Sequence, residues 1–135
     1  WSSDVCSSDL NFCNAEQALH ILSQLQKMGV RIAIDDFGTG YASYARLKSV
    51  DADILKIDGD FIRNIVNNSL DYQIVASICH LARMKKMLVV AEYVETEEIR
   101  SAVHALGIDY VQGYLIGRPA PLESLLETEA SCADA

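Results

Sequence analysis

Residues 30–36 read VRIAIDD and run directly into FGTG at 37–40. The run from Val30 to Ile34 is rich in β-branched residues, which suits a strand, and it ends abruptly in two adjacent acids and a glycine-rich turn. Three further runs follow the same plan. Ile54 to Ile57 carries Lys56 and ends in Asp58; Met87 to Ala91 ends at Glu92; Ile108 to Val111 leads to Gln112 and Gly113. These runs are largely apolar rather than alternating, as expected for strands covered on both faces.

Helical patterns lie between the runs. Asn14 and Gln17 resemble a capping box. Ala15, Ala18, Leu19, Leu22, Leu25 and Met28 then recur at helical spacing, and Gly29 supplies the stop. A short helical segment is expected near Tyr44, and a longer amphipathic helix with Leu70, Ile74, Ile78 and Leu81 on one face. Thr96 reads as an N-cap with Glu97 and Glu98 in the first turn. Ile99, Ala102, Val103 and Leu106 form the stripe of that helix, and Gly107 ends it. Pro121 opens a last helix through Leu122, Leu125 and Leu126. Strands alternating with helices predict βαβ units and a parallel sheet, here one α/β domain over residues 11–128 with 129–135 as a tail. Residues 1–10, WSSDVCSSDL, share neither the periodicity nor the composition of the rest. They resemble a translated sequencing adapter and are set aside as a non-native lead-in.

Half of the 135 residues are hydrophobic, ample for a packed core, and the net charge of −8 argues against a nucleic-acid polymer as partner. No apolar run approaches the roughly 18 residues needed to cross a bilayer, and no secretion signal opens the chain. A cytoplasmic location is expected, with room for a membrane anchor upstream in the complete protein. Cys6, Cys13, Cys79 and Cys132 show no CxxC spacing and read as free thiols. His20, His80 and His104 lie on helical stretches without a second ligand at useful spacing and read as structural or solvent-facing.

Position makes the polar residues informative. Four strands deliver Asp35-Asp36, Lys56 with Asp58, Glu92 and Gln112 to one rim, and in parallel α/β folds chemistry gathers at the carboxyl ends of strands. One such residue could simply cap a turn; the group favours a site. Adjacent Asp35 and Asp36 ionise together comfortably only beside a cation, and hard oxygen ligands suit Mg²⁺, Mn²⁺ or Ca²⁺ better than zinc. Lys56, inside an otherwise apolar strand, suits a phosphate oxygen or an attacking water.

DDFGTGYAS, ADILKIDGDFI, VVAEYVET and DYVQGY, in this order, resemble the second half of the EAL domain over about residues 14 to 127. The resemblance implies a partial TIM-type (β/α)8 barrel comprising about the last four βα units. It also implies a metal-dependent cyclic di-GMP phosphodiesterase that yields linear pGpG. By the same resemblance, Asp35 would serve both metal sites and Asp36 chiefly the second. Lys56 would position the nucleophilic water, and Glu92 would be a second-metal ligand or general base. Asp58 and Glu95 would support the metal site or substrate, Gln112 would contact a substrate phosphate, and Gly38 and Thr39 would belong to a loop linking the site to dimerisation. The implied cofactors are two Mg²⁺ or Mn²⁺ ions. The implied partners are cyclic di-GMP, a second subunit in a homodimer, and upstream sensor or GGDEF-type domains.

Two departures are small: Tyr93 stands where glycine is common, and YAS where YSS is usual. The larger one is absence, since the EAL signature and the front-half metal ligands have no counterpart here. A (β/α)8 barrel needs on the order of 250 residues, so this chain accounts for about half of one and is expected to be inactive alone. A non-catalytic cyclic di-GMP receptor is the main alternative, and another metal-assisted barrel enzyme the remaining one.

Overall fold

Helix α1 (Ala15–Lys27) turns Ala18 and Leu22 inward, and the chain leaves it through Gly29, whose φ of 91° is a left-handed value that glycine adopts without cost. In this computed structural model, which describes residues 5–6, 15–38, 44–124 and 126, the sheet begins immediately afterwards. The elements after α1 are β2 (Ile32–Phe37), α2 (Tyr44–Ser49), β3 (Ile54–Ile57), α3 (Gly59–Asn64), α4 (Ser69–Met84), β4 (Leu88–Ala91), α5 (Glu97–Ala105) and β5 (Tyr110–Val111). A two-residue strand, β1 (Val5–Cys6), precedes α1. All neighbouring strands pair in parallel, in the order β1-β2-β3-β4-β5.

Several expectations need correction. The sheet has five strands rather than four, because Val5–Cys6 of the lead-in pairs with Ile32 and Ala33. Helix α3 was not anticipated; its 6 residues are too few to show a helical period. In α4 the buried line is Val75, Ile78, Cys79 and Ala82, while Leu70 is exposed. Ile78 belongs to both lines, and Ile74 and Leu81 pack against the core as partly buried residues, so of the expected face Leu70 alone is exposed. Of the last expected helix, residues 122–124 and 126 are helical, and Leu125 lies outside the described residues, as does the Asn14 cap. Thr96 does cap α5, its side chain accepting from the Ile99 N–H at 3.3 Å. All three histidines are exposed.

The two faces of the sheet carry different loads. Ile32, Ile34, Leu55, Ile57, Val89 and Ala91 join the main core with Val75, Ile78, Ile99 and Val103 of the helices. Each fully buried isoleucine or leucine there contributes about 1.5–3 kcal/mol. The opposite face holds a smaller cluster, Ala33, Ile54 and Val90 with Leu88 packed against it. By the strand period of two, Asp35, Lys56 and Glu92 follow Ala33, Ile54 and Val90 on this second face. Cys79 is a free thiol, and burial pushes its pKa up to about 11, so it packs as an apolar group. Among the described residues no helix is long and apolar enough to cross a membrane.

At the opposite end of the sheet, two aspartates each sit one residue before a strand and bond the neighbouring strand. Asp53 Oδ2 accepts from the Ile32 N–H at 2.9 Å, and Asp109 Oδ2 accepts from the Val89 N–H at 2.9 Å. Val89 is buried, so losing its acceptor leaves a donor with little access to water. Asp109→Ala is therefore expected to lower stability by about 1–2 kcal/mol in urea unfolding; an unchanged midpoint would contradict this reading.

Candidate metal centre

Two strands break register at their carboxyl ends in the same way. On β2, Ile34 faces Leu55 and Phe37 faces Ile57, so three steps on one strand match two on the other and Asp35-Asp36 form a bulge opposite Lys56. After β4, the Gln112 N–H donates to the Ala91 carbonyl at 2.9 Å and the Val94 N–H donates to the Gln112 carbonyl at 3.0 Å. A regular parallel ladder would place one residue between these bonds; here Glu92 and Tyr93 share the space. In each bulge the first residue is an acid and the second has a left-handed φ, 52° at Asp36 and 55° at Tyr93. Bulges re-aim side chains, and these two send Asp35 and Glu92 towards Lys56 on the strand between.

Lys56 Nζ lies 3.3 Å from Asp35 Oδ1 and 2.9 Å from Glu92 Oε1. Asp35, Asp36 and Glu92 each offer a carboxylate oxygen, and all three lie within 4.8 Å of one another. The Asp36 N–H donates to Asp35 Oδ1 at 2.9 Å, which fixes the first carboxylate against its own bulge. Burial raises the pKa of Asp36, and the charges of Asp35 and Asp58 raise it further against the pull of Lys56. For Lys56, burial works downwards but is outweighed by the hydrogen bond and charge of Glu92 and then those of Asp35, so its pKa is raised and the ammonium keeps its proton. Three converging hard-oxygen donors, one of which resists ionisation, suit a divalent cation of the Mg²⁺ or Mn²⁺ type.

The remaining expected residues lie around this group. Asp58 is the N-cap of α3, accepting from the Asp60 N–H at 2.9 Å, and acts on Asp36 through its charge. Glu95 and Gln112 line a cleft of about 630 Å³ together with Glu92, Tyr93, Tyr114 and Arg118. Gly38 has φ 112°, and an added Cβ would come within 2.5 Å of the Phe61 ring. Thr39 lies outside the described residues. Gly59, under the Tyr93 ring, and Arg118, in the cleft wall, were not singled out from the sequence, and Tyr93 stood out only as a departure from glycine. Tyr93 had a usable signal, since a bulky residue where glycine is common marks a position of positive φ. Arg118, whose guanidinium carbon lies 4.7 Å from the Tyr114 ring centroid, had none.

Fold and site together define a parallel α/β domain with an acidic candidate cation site at its strand ends. The EAL domain family matches residues 8–119, and the chain belongs to that family. It is 76% identical over 117 residues to the cyclic di-GMP phosphodiesterase PdeF of Escherichia coli, covering 86% of this chain but 16% of that protein. It is 47% identical over 117 residues to MucR of Pseudomonas aeruginosa, a bifunctional diguanylate cyclase/cyclic di-GMP phosphodiesterase, covering 87% of this chain and 17% of that one. The solved PaMucR phosphodiesterase in complex with c-di-GMP superposes with a TM-score of 0.79 at 45% identity, covering 90% of this chain and 49% of that chain. The manganese/cy-diGMP complex of Klebsiella pneumoniae BlrP1 gives a TM-score of 0.78 at 33% identity, covering 87% and 30%. The chain thus spans about a sixth of the curated relatives' length.

A cation held by the folded site and not by the unfolded chain stabilises it by mass action. Mn²⁺ is expected to raise the melting temperature of this chain. Asp36→Asn, which tolerates the left-handed backbone, is expected to melt higher than the parent in chelator, because a charge in a repulsive setting is gone. The same variant is expected to lose the Mn²⁺ response. Thermal melts with EDTA or Mn²⁺ check both, and a lower melting point in EDTA or an undiminished Mn²⁺ shift would contradict the assignment.

Proposed function

We propose that the complete domain containing this chain hydrolyses one phosphodiester bond of cyclic di-GMP to give linear pGpG, with Mg²⁺ or Mn²⁺ as cofactor. This chain would supply about the last four βα units of its (β/α)8 barrel. The observation that carries the reading is the convergence of Asp35, Asp36 and Glu92 around Lys56. The relatives' names and the bound cyclic dinucleotides in the two solved complexes support the choice of substrate. Residues 1–10 remain a non-native lead-in in this reading, 11–128 the back half of the EAL domain and 129–135 a tail.

Asp35, Asp36 and Glu92 would hold the cations, which supply Lewis acidity and charge neutralisation for phosphodiester cleavage. The raised pKa of Lys56 keeps Nζ a donor, so Lys56 would hold the attacking water by a hydrogen bond and orient it towards phosphorus. Glu92 would serve as second-metal ligand or take the water's proton. Gln112 would donate its side-chain amide to a phosphate oxygen, with Glu95 and Asp58 supporting substrate and metal site. Gly38 and Thr39 would belong to a loop that connects the site with a homodimer interface. Upstream sensor or GGDEF-type segments would regulate the complete protein, a cytoplasmic enzyme or one anchored through an upstream segment. The alternative is a receptor that binds cyclic di-GMP without turnover, which degenerate front-half ligands in the complete domain would mark.

The complete domain is expected to convert cyclic di-GMP to pGpG with Mn²⁺, and Lys56→Ala to lower kcat by about 10²–10³-fold, the range for loss of one preorganised donor. The 135-residue chain alone is expected to give no turnover. Chromatographic product analysis decides: tight binding without pGpG from the complete domain would favour the receptor, and turnover by the chain alone would refute the need for front-half ligands.

A further inference from the structure

Tyr93 is the second residue of the Glu92–Tyr93 bulge and holds a left-handed backbone that a tyrosine adopts only under constraint. Its ring supplies that constraint. It lies so close over Gly59 that an ideal Cβ there would fall 1.4 Å from Tyr93 Cδ2. From another part of α3, the Arg63 guanidinium carbon lies 4.3 Å from the ring centroid, a cation–π contact. Arg63 is itself oriented by Asp60 at 3.8 Å. Gly59 is buried, and it directly follows Asp58, whose charge acts on Asp36. The ring therefore ties the strand end that carries Glu92 to the helix start that carries Asp58.

We propose that Tyr93 is a positioning residue: its ring, seated on Gly59 and beside Arg63, holds the Glu92 bulge so that the Glu92 carboxylate stays directed at the cation site. The inference rests on the cation site proposed above and adds a support for it that is not itself a ligand. Glu92 has only Lys56 as an ion-pair partner among the described residues, so its direction depends on the backbone that presents it. Gly59 is required as the flat seat for the ring, and Arg63 as its side wall.

The test uses the 135-residue chain, with Mn²⁺ affinity read by EPR of the free ion and melting followed in parallel. Tyr93→Ala is expected to weaken Mn²⁺ binding about 10- to 100-fold, the range for residues that orient a metal ligand. Tyr93→Phe, which keeps the ring, leaves it unchanged. Gly59→Ala, which unseats the ring, weakens binding in the parent chain but adds no further loss to Tyr93→Ala. Arg63→Ala, an exposed change that serves if Tyr93→Ala does not fold, gives a smaller loss in the same direction. Unchanged Mn²⁺ affinity in Tyr93→Ala and Arg63→Ala, with melting alone affected, would assign a merely structural role and overturn the proposal. So would independent, additive losses from Gly59→Ala and Tyr93→Ala. No Mn²⁺ binding by the unsubstituted chain would instead overturn the cation site beneath it, a different failure with a different signature.

Discussion

Like charges cannot be gathered within a few ångströms in a half-buried setting unless positive charge lies among them, and the Lys56 ammonium meets that condition here. It bonds Asp35 on one side and Glu92 on the other. Burial alone would lower its pKa; Glu92 and Asp35 more than offset this and raise it. Asp36, next in the chain to Asp35, remains in a repulsive field even so. A group balanced in this way has a stake in a further cation, and hard oxygen donors select which kind.

The backbone prepares this arrangement. A regular β2 and β4 would pass their acids along the ladder with Lys56 between them at fixed spacing. The extra residue in each bulge bends the strand end and turns the acid inwards, at the cost of a left-handed residue immediately after. Aspartate tolerates that conformation through its short polar side chain; tyrosine does so because its ring is held by Gly59 and Arg63. The two bulges solve the same geometric problem with different compensation, and α3, the short helix between β3 and α4, takes part in one of them.

Much of this was legible in the residues. The four apolar runs ending in polar side chains located the strands and their rim, because a parallel sheet leaves each strand's last residue at the same edge. Thr96 and Gly29 marked helix ends through local chemistry alone. What escaped depended on neighbours. A bulge exists only relative to the register of the adjacent strand, so neither could be read from one run. On α4 the aliphatic line located Ile74, Ile78 and Leu81 against the core but not the buried Val75, Cys79 and Ala82, and Leu70 at its start is exposed. Strand β1 lay in a segment whose composition gave no reason to expect pairing, and α3 was too short to show a period. Thr39 falls outside the described residues.

Whether these side chains share one cation is decided by an anomalous difference map at the manganese edge, from crystals of the complete domain grown with Mn²⁺. A peak in coordinating contact with Asp35, Asp36 and Glu92 beside Lys56 is expected. Manganese bound elsewhere, with these three carboxylates touching only protein and water, would contradict it.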